Sequence, residues 1–279
     1  MLKTIPRRAA NRLKALRRQY HTRKVQTFSE SLKKSEPVVV LGNQKTGSTA
    51  IAALLAQATG KPVTLDLQRA IPDVGWQLCV KYGVTPFKEI AYKYKGDFSR
   101  SIIKEPSLSY FYDEILELMP NAKYVFIQRN PYQNIRSVLN RLKIPGDLAD
   151  IEYDQWPELC KTPVWRLALD SSWLGRPKGS YIESMAHRWD IAARTYLDSP
   201  ERFILIRYED FVKDKNSSIE GLASDLGLVV QEDIGINVDV QYQGKGNRSA
   251  SPGEFFGETN REVIREICGE SAKKLGYEL

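Results

Sequence analysis

A glycine-containing loop near residue 45 carries the side chains that best suit chemistry on an anion. Residues 42–49 read Gly-Asn-Gln-Lys-Thr-Gly-Ser-Thr and follow the short apolar run 38–41. Such a loop between a strand and a helix presents backbone N–H groups, and the helix N-terminus favours negative charge. The candidate ligands of a tetrahedral anion in this loop are Lys45, Thr46, Gly47, Ser48 and Thr49.

The position of the lysine separates this loop from the phosphate loop of nucleotide kinases and GTPases. Those enzymes need lysine directly after the second glycine, where the ammonium group reaches the β- and γ-phosphates. Here Ser48 occupies that position, and Lys45 lies three residues earlier. A P-loop nucleotide-dependent kinase stays open as an alternative, although its expected magnesium-binding aspartate is missing after the apolar run 124–127, which continues as Gln128-Arg129.

A second segment, residues 129–137, suits recognition of another phosphate. It reads Arg-Asn-Pro-Tyr-Gln-Asn-Ile-Arg-Ser. Asn130 is a good N-cap and Pro131 a good first helical residue, so Arg129 is expected at the end of a strand, facing the same crevice as the first loop. Arg129 offers a charge-assisted fork of donors, and Ser137 offers a hydroxyl group two helical turns later.

Together the two segments resemble the donor-binding motifs of the sulfotransferases that use 3′-phosphoadenosine 5′-phosphosulfate (PAPS). Lys45, Gly47, Ser48 and Thr49 match the phosphosulfate loop of that family, and residues 129–137 are similar to its 3′-phosphate motif. The resemblance implies a transferase that moves a sulfuryl group from PAPS to a hydroxyl or amine. It also implies that Lys45 is catalytic and that no metal is required.

Weaker similarity to the family extends towards the C-terminus. The turn Tyr-Glu-Asp at residues 208–210 resembles a structural turn of the family. Residues 244–248, Gly-Lys-Gly-Asn-Arg, resemble its C-terminal cofactor loop but depart from the usual Arg-Lys-Gly order. The resemblance therefore implies donor contacts from Lys245, Gly246 and Arg248 as well as from Arg129 and Ser137.

A hydroxyl acceptor also needs a general base, and three residues compete for this role. Glu105 is the first choice because residues 104–106 follow an apolar run at the place where cytosolic family members carry a catalytic histidine. Asp66 is the second, since residues 62–66 could form a strand that ends in this acid. His187 is the third, but it falls in the helical pattern 181–197, where a lone histidine is more often structural.

The pattern of apolar runs predicts the elements that position these residues. Short runs at 38–41, 101–104, 124–127 and 203–206 are each followed by helical periodicity. Alternating strands and helices indicate an α/β fold of three αβα layers with a central, mainly parallel sheet. Residues 143–180 contain four prolines and three tryptophans, and they are either a lid that shapes the acceptor pocket or a packed surface excursion.

Charge is concentrated at the N-terminus. Residues 1–36 hold eleven Lys or Arg against two Glu, whereas residues 37–279 hold 30 basic and 32 acidic residues. We therefore predict a basic extension, 1–36, before a catalytic domain, 37–279, that is no nucleic-acid binder. Apolar residues recur at helical spacing at positions 2, 5, 9, 13, 16 and 20, which predicts an amphipathic helix. Residues 1–34 either bind an anionic membrane surface, dock on the domain or form a solvated extension.

The remaining features bound the setting of the protein. Cys79, Cys160 and Cys268 are odd in number and widely spaced, which indicates neither a disulfide framework nor a zinc site. No apolar stretch reaches the length of a spanning helix, and the sequence predicts a cytoplasmic protein that is free or membrane-associated. The acceptor, a small molecule, carbohydrate or lipid, and the oligomeric state are left open, and a non-catalytic anion- or membrane-binding protein is a further alternative.

Overall fold

A computed structural model describes residues 7–73, 75–235, 238, 240 and 251–279. The described residues form five strands, β1 Val38–Leu41, β2 Val63–Leu65, β3 Ile102–Lys104, β4 Lys123–Gln128 and β5 Phe203–Arg207. They also form twelve α-helices, α1 Arg7–Lys33, α2 Ser48–Thr59, α3 Trp76–Lys81, α4 Phe87–Lys93, α5 Lys95–Phe98, α6 Tyr112–Leu118, α7 Pro131–Leu142, α8 Pro157–Lys161, α9 Tyr181–Leu197, α10 Tyr208–Phe211, α11 Lys215–Asp225 and α12 Pro252–Lys274.

The five strands make one sheet in the order β2-β3-β1-β4-β5, with every pair of neighbours parallel. The predicted α/β fold with a parallel sheet is thereby confirmed. Because all strands run the same way, their carboxyl ends meet at one edge of the sheet. β1 lies in the middle, between β3 and β4, and the chain crosses to opposite sides of it, which makes the crevice above β1 the expected ligand site.

Helices cover both faces of the sheet, which gives the three layers. Side chains of β1 alternate between the faces, with Val39 and Leu41 in one apolar cluster and Val38 and Val40 in another. The second cluster is closed by α2 and α11, and a third cluster joins α7, α9 and α12. Strands buried on both faces read as continuous apolar runs, and this explains why the sequence reveals them.

Residues 143–180 contain α8 and three short 3₁₀ turns between α7 and α9. The segment is tied to the domain, since Trp173 is buried and Nη1 of Arg188 on α9 donates to the backbone carbonyl of Leu167 at 2.8 Å. Ser180 then starts α9 with a capping box, in which its hydroxyl and the Glu183 carboxylate each accept from the other's backbone N–H. The segment is therefore an ordered excursion.

Helix α1 is docked through its C-terminal half. Val25 and Leu32 are buried in the described part of the chain, and Phe28 packs against the apolar cluster under the sheet. The helix that precedes residue 36 thus contributes to the core. The predicted boundary at residue 36 between an extension and a domain stays a prediction. None of the described helices has the length and apolarity to cross a membrane.

Candidate active site

The loop between β1 and α2 is held by buried polar side chains. Asn43 Oδ1 accepts hydrogen bonds from the backbone N–H of Gln44 at 2.9 Å and from the hydroxyl of Tyr110 at 2.7 Å. Asn134 on α7 accepts from Asn43 Nδ2 at 3.0 Å and donates to the backbone carbonyl of Gln44 at 2.7 Å. The buried Thr46 hydroxyl donates to the carbonyl of Asn43 at 2.9 Å. The protein itself therefore fixes the shape of this loop.

Gly47 ends the loop in a conformation that suits glycine. It is the N-cap of α2 with φ 93°, and a Cβ atom there would lie 2.4 Å from Cδ2 of Tyr208. The same tyrosine ring faces the guanidinium group of Arg129, with 4.3 Å between Cζ and the ring centroid. Tyr208 thus packs between the loop and the arginine, and no larger residue can replace Gly47 without moving it.

Arg129 follows directly after β4 and is positioned from three sides. Its Nη1 donates to the backbone carbonyl of Lys45 at 2.9 Å, and its own carbonyl accepts from the indole N–H of Trp189 at 2.9 Å. The next residue, Asn130, caps α7 with its side chain and donates its backbone N–H to Glu209 Oε1 at 2.9 Å. The turn at residues 208–210 therefore supports the second motif.

Lys104, at the end of β3, joins three segments. Its ammonium group is buried, and it donates to Thr49 Oγ1 on α2 at 2.9 Å and to Asp66 Oδ1 after β2 at 2.5 Å. Asp66 has φ 65°, in the left-handed region that aspartate tolerates better than most residues. Strand pairing of β2, β3 and β1 thus brings a carboxylate, an ammonium group and a loop hydroxyl together.

Glu105 is the neighbour of Lys104 and serves as a cap. Its two carboxylate oxygens accept the backbone N–H groups of Leu67 at 3.0 Å and Ser107 at 2.9 Å. Burial, and after it the nearby charge of Asp66, raises the pKa of the Glu105 carboxyl group, and Lys104 with the two N–H groups opposes this rise. Glu105 therefore holds the turn that carries Asp66.

One cavity of about 620 Å³ opens over the carboxyl ends of β1, β3 and β4 and receives most of the predicted site residues. One half of it is formed by the loop, α7 and the start of α10. Its other half is formed by the turn after β2, by α3 and by the segment 143–180. The predicted site residues that line it are Lys45, Gly47, Ser48, Thr49, Asp66, Glu105, Arg129 and Ser137.

Other predicted residues lie elsewhere. Thr46 is buried beneath the loop, where its hydroxyl supports the loop backbone. His187 lies on α9 and is not among the residues that line the cavity, and burial together with Arg176 lowers the pKa of its imidazole. Lys245, Gly246 and Arg248 lie outside the described residues.

The electrostatics of the cavity favour a bound anion. Burial first, and then the charges of Arg129, Arg141 and Lys104, lower the pKa of the Lys45 ammonium group to about 8. Several cations thus face a partly buried space, where an anionic ligand would relieve their mutual repulsion. Lys45 also has φ 67°, so two of the three described non-glycine residues with positive φ line this cavity.

Several lining residues were not predicted from the sequence. The sequence around Lys104 indicates a strand end but no role in the site. Tyr208 lies in a turn that we interpreted as structural only. Arg188 on α9 is buried and donates to Gln44 Oε1 at 2.9 Å, with its guanidinium group over the Tyr110 ring at 4.5 Å. Trp76 and Gln77 reach the cavity from α3. A single sequence does not show that these segments meet.

Solved structures with a similar fold are sulfotransferases. Sulfotransferase STF9 from Mycobacterium avium is 14% identical, with 92% of this chain and 82% of that chain covered at a TM-score of 0.53. A sulfotransferase from Alicyclobacillus acidocaldarius is 17% identical, with 88% and 97% covered at 0.51. The sulfotransferase domain from the curacin biosynthetic pathway is 17% identical, with 88% and 98% covered at 0.51. At these identities the likeness shows a shared fold.

Sequence comparison provides the family. No curated protein sequence matches this chain. A family model described as the sulfotransferase family matches residues 75–232, which is more than half of the chain. The matched range includes β4, the Arg129 motif and the turn at residues 208–210. The chain belongs to the sulfotransferase family.

Proposed function

We propose that the protein transfers a sulfuryl group from PAPS to a hydroxyl group of an acceptor with an apolar body. The observation that carries this proposal is the meeting of the two predicted donor motifs in one cavity, with Arg129 Nη1 hydrogen-bonded to the backbone of Lys45. The loop would hold the 5′-phosphosulfate through backbone N–H groups and the hydroxyls of Ser48 and Thr49. Arg129 and Ser137 would hold the 3′-phosphate.

Catalysis would consist mainly of positioning and charge stabilisation, as in phosphoryl transfer. When bound, PAPS supplies the activated sulfuryl group. Lys45 and Lys104 line the same cavity, and their ammonium groups would stabilise negative charge on the leaving phosphate and the sulfuryl oxygens. The contact between Lys104 and Thr49 at 2.9 Å supports a role of Lys104 beside the predicted Lys45.

The contacts favour Asp66 over Glu105 as the general base. Both oxygens of Glu105 already accept backbone hydrogen bonds, whereas Asp66 uses one oxygen for Lys104 and is about one-third exposed in the cavity wall. A carboxylate with an open oxygen at the cavity can accept the proton of an acceptor hydroxyl. Glu105 would act as a positioning residue, because it fixes Leu67 and so the turn that presents Asp66.

We assign the acceptor to the half of the cavity that is formed by the turn after β2, α3 and residues 143–180. This half supports an apolar acceptor rather than a carbohydrate. Its lining is dominated by aromatic and aliphatic side chains, and the polar side chains beside them are Asp66, Gln77, Ser107, Thr162 and Arg188. Sugars need many hydrogen-bond partners, and an apolar wall leaves their hydroxyl groups unsatisfied. The apolar residues of this half are Leu67, Ala70, Ile71, Trp76, Val164, Trp165, Leu167, Ala168 and Trp173.

The test of the donor is a comparison of two nucleotides by calorimetry. Adenosine 3′,5′-bisphosphate and adenosine 5′-monophosphate differ by the 3′-phosphate alone, so their affinity ratio measures recognition of that group. We expect the bisphosphate to bind without metal and Ser137→Ala to reduce the ratio by about five- to tenfold, the value of one lost hydrogen bond. Ser224→Ala, which removes an exposed hydroxyl on α11 outside the cavity, is the matched control.

Two outcomes would contradict the proposed donor. The first is equal affinity for the two adenosine nucleotides in the wild-type protein. The second is tight binding of ATP with Mg²⁺ together with no binding of the bisphosphate, which would favour the kinase alternative. Bisphosphate binding without sulfuryl transfer to any of a panel of aryl and alkyl alcohols would instead contradict the proposed acceptor class.

A further inference from the structure

Helix α1 carries two apolar stripes on different sides. The first is the docked stripe in its C-terminal half, with Val25 and Leu32 buried. The second lies in the N-terminal half, where Leu16 is 53% and Tyr20 62% exposed. At about 100° per residue, Leu16 and Tyr20 lie about 40° apart, and the docked stripe lies roughly 120–180° further round the helix. The exposed stripe therefore faces away from the surface on which the helix is docked.

The N-terminal half of α1 extends away from the domain. Every side chain that the structure describes between Asn11 and Lys24 is exposed, and His21 contacts α4, with its Nε2 atom 2.7 Å from Glu89 Oε2. From Arg7 to Tyr20 the helix rises about 20 Å at 1.5 Å per residue. The free half is long enough to contact a surface that the rest of the domain does not touch.

The exposed stripe is flanked by positive charge alone. Arg12 and Arg23 lie on one side of it and Arg17 and Lys24 on the other, at about 20–100° from Leu16. The sequence contains no Asp or Glu from residue 7 to residue 29. An apolar stripe between basic rows is the pattern of a helix that lies at the interface of an anionic membrane.

We propose that the N-terminal half of α1 binds the surface of an anionic phospholipid bilayer, with Leu16 and Tyr20 inserted at the headgroup level. A nucleic acid would bind the basic residues, but apolar side chains at this position would add nothing to its affinity. An anionic bilayer binds both the basic and the apolar side chains, and tyrosine is a preferred residue of the membrane interface. The binding surface is independent of the proposed sulfuryl transfer.

The test uses the full chain and sedimentation with vesicles of phosphatidylcholine that contain about 30 mol% phosphatidylserine or none. We expect binding to the anionic vesicles alone. The variant Arg12→Glu/Arg17→Glu/Arg23→Glu should bind about 100-fold more weakly, because each basic residue near an anionic surface contributes severalfold to the partition coefficient. Glutamate and arginine have similar helix propensities, so α1 is kept.

Two further variants separate the proposal from its rivals. Lys178→Glu/Arg202→Glu/Lys273→Glu changes the net charge by the same amount as the α1 variant, but at exposed sites outside α1. Its affinity for anionic vesicles should fall less than about threefold. Leu16→Ser/Tyr20→Ser keeps all charges, and its affinity for anionic vesicles should fall about tenfold. Its affinity for polyuridylate, which represents the nucleic-acid alternative, should be unchanged. Absence of vesicle binding, equal loss in the two charge variants, or no loss in the Leu16→Ser/Tyr20→Ser variant would each overturn the proposal.

Discussion

Lys45 provides a direct test of the donor site, because its titration falls in an accessible pH range. Its pKa is lowered to about 8, first by burial and then by the charges of Arg129, Arg141 and Lys104. The neutral amine cannot form an ion pair with a phosphosulfate or with adenosine 3′,5′-bisphosphate. The affinity for the bisphosphate should therefore be highest below pH 8 and should fall as the pH rises.

The magnitude follows from the fraction of Lys45 that is protonated in the free protein. With a pKa of about 8, this fraction is about 0.9 at pH 7 and about 0.1 at pH 9, so the affinity should fall about tenfold between these values. The bound anion favours the ammonium form and raises the pKa of Lys45. Binding at pH 8 should therefore take up about 0.5 proton per site.

Calorimetry in buffers with different ionisation enthalpies measures both quantities. Lys45→Arg is the control, because a guanidinium group stays charged across this range and its affinity should be independent of pH. The second pKa of a phosphate monoester is about 6, so the ligand is about nine-tenths deprotonated at pH 7 and changes little in charge above it. A wild-type affinity that is flat from pH 7 to pH 9, or an equal fall in the Lys45→Arg variant, would refute the assignment of Lys45 to the anion site.

Three further substitutions test the geometry of the site. Gly47→Ala places a Cβ atom 2.4 Å from Tyr208 and should weaken bisphosphate binding at least about tenfold, whereas Gly221→Ala, which has open space, should be neutral by the same titration. Asp66→Asn keeps a residue that tolerates positive φ and should lower kcat by about 10²- to 10⁴-fold with unchanged bisphosphate affinity. Glu105→Gln should destabilise the protein by about 1–3 kcal/mol in thermal unfolding. A carboxamide has a single oxygen, so its NH₂ group would face one of the two backbone N–H donors. A larger loss of kcat in Glu105→Gln than in Asp66→Asn would reverse the assignment of the base.

The sheet was predicted well because its strands are buried on both faces. The run 38–41 coincides with β1, and those at 124–127 and 203–206 match β4 and β5 to within one residue at each end. Helix α9 has the predicted bounds, 181–197, since its apolar periodicity is bracketed by a capping serine and a Ser-Pro turn. The short helices between β2 and β3 were not predicted, because four to seven residues are too few for a periodic pattern.

The two segments of the proposed donor site were easier to recognise in the sequence than the contacts of the proposed catalytic residues. The loop at residues 42–49 and the motif at 129–137 are local in sequence, and their spacing carries the signal. The contact of Lys104 with Thr49 and Asp66 depends on the order β2-β3-β1, which a single sequence does not reveal. Glu105 was preferred as the base because it follows a strand at the place where cytosolic family members carry a catalytic histidine. Its side chain instead accepts the backbone N–H of nearby Ser107 and that of Leu67, which is distant in sequence.

Net charge illustrates the same limit in physical terms. Residues 37–279 have two more acidic than basic residues, and composition alone therefore gives no reason to expect an anion site there. The described lining of the cavity nevertheless contains six basic side chains against two carboxylates, an excess of four positive charges in a partly buried space. Such a concentration costs free energy in the absence of a counter-charge, and the same field draws a polyanionic ligand into the cleft. The folding of separate segments around one cavity, rather than the total charge, would therefore create the preference of the proposed site for a donor with several phosphate and sulfate charges. The basic residues in the lining are Lys45, Lys104, Arg129, Arg136, Arg188 and Lys215.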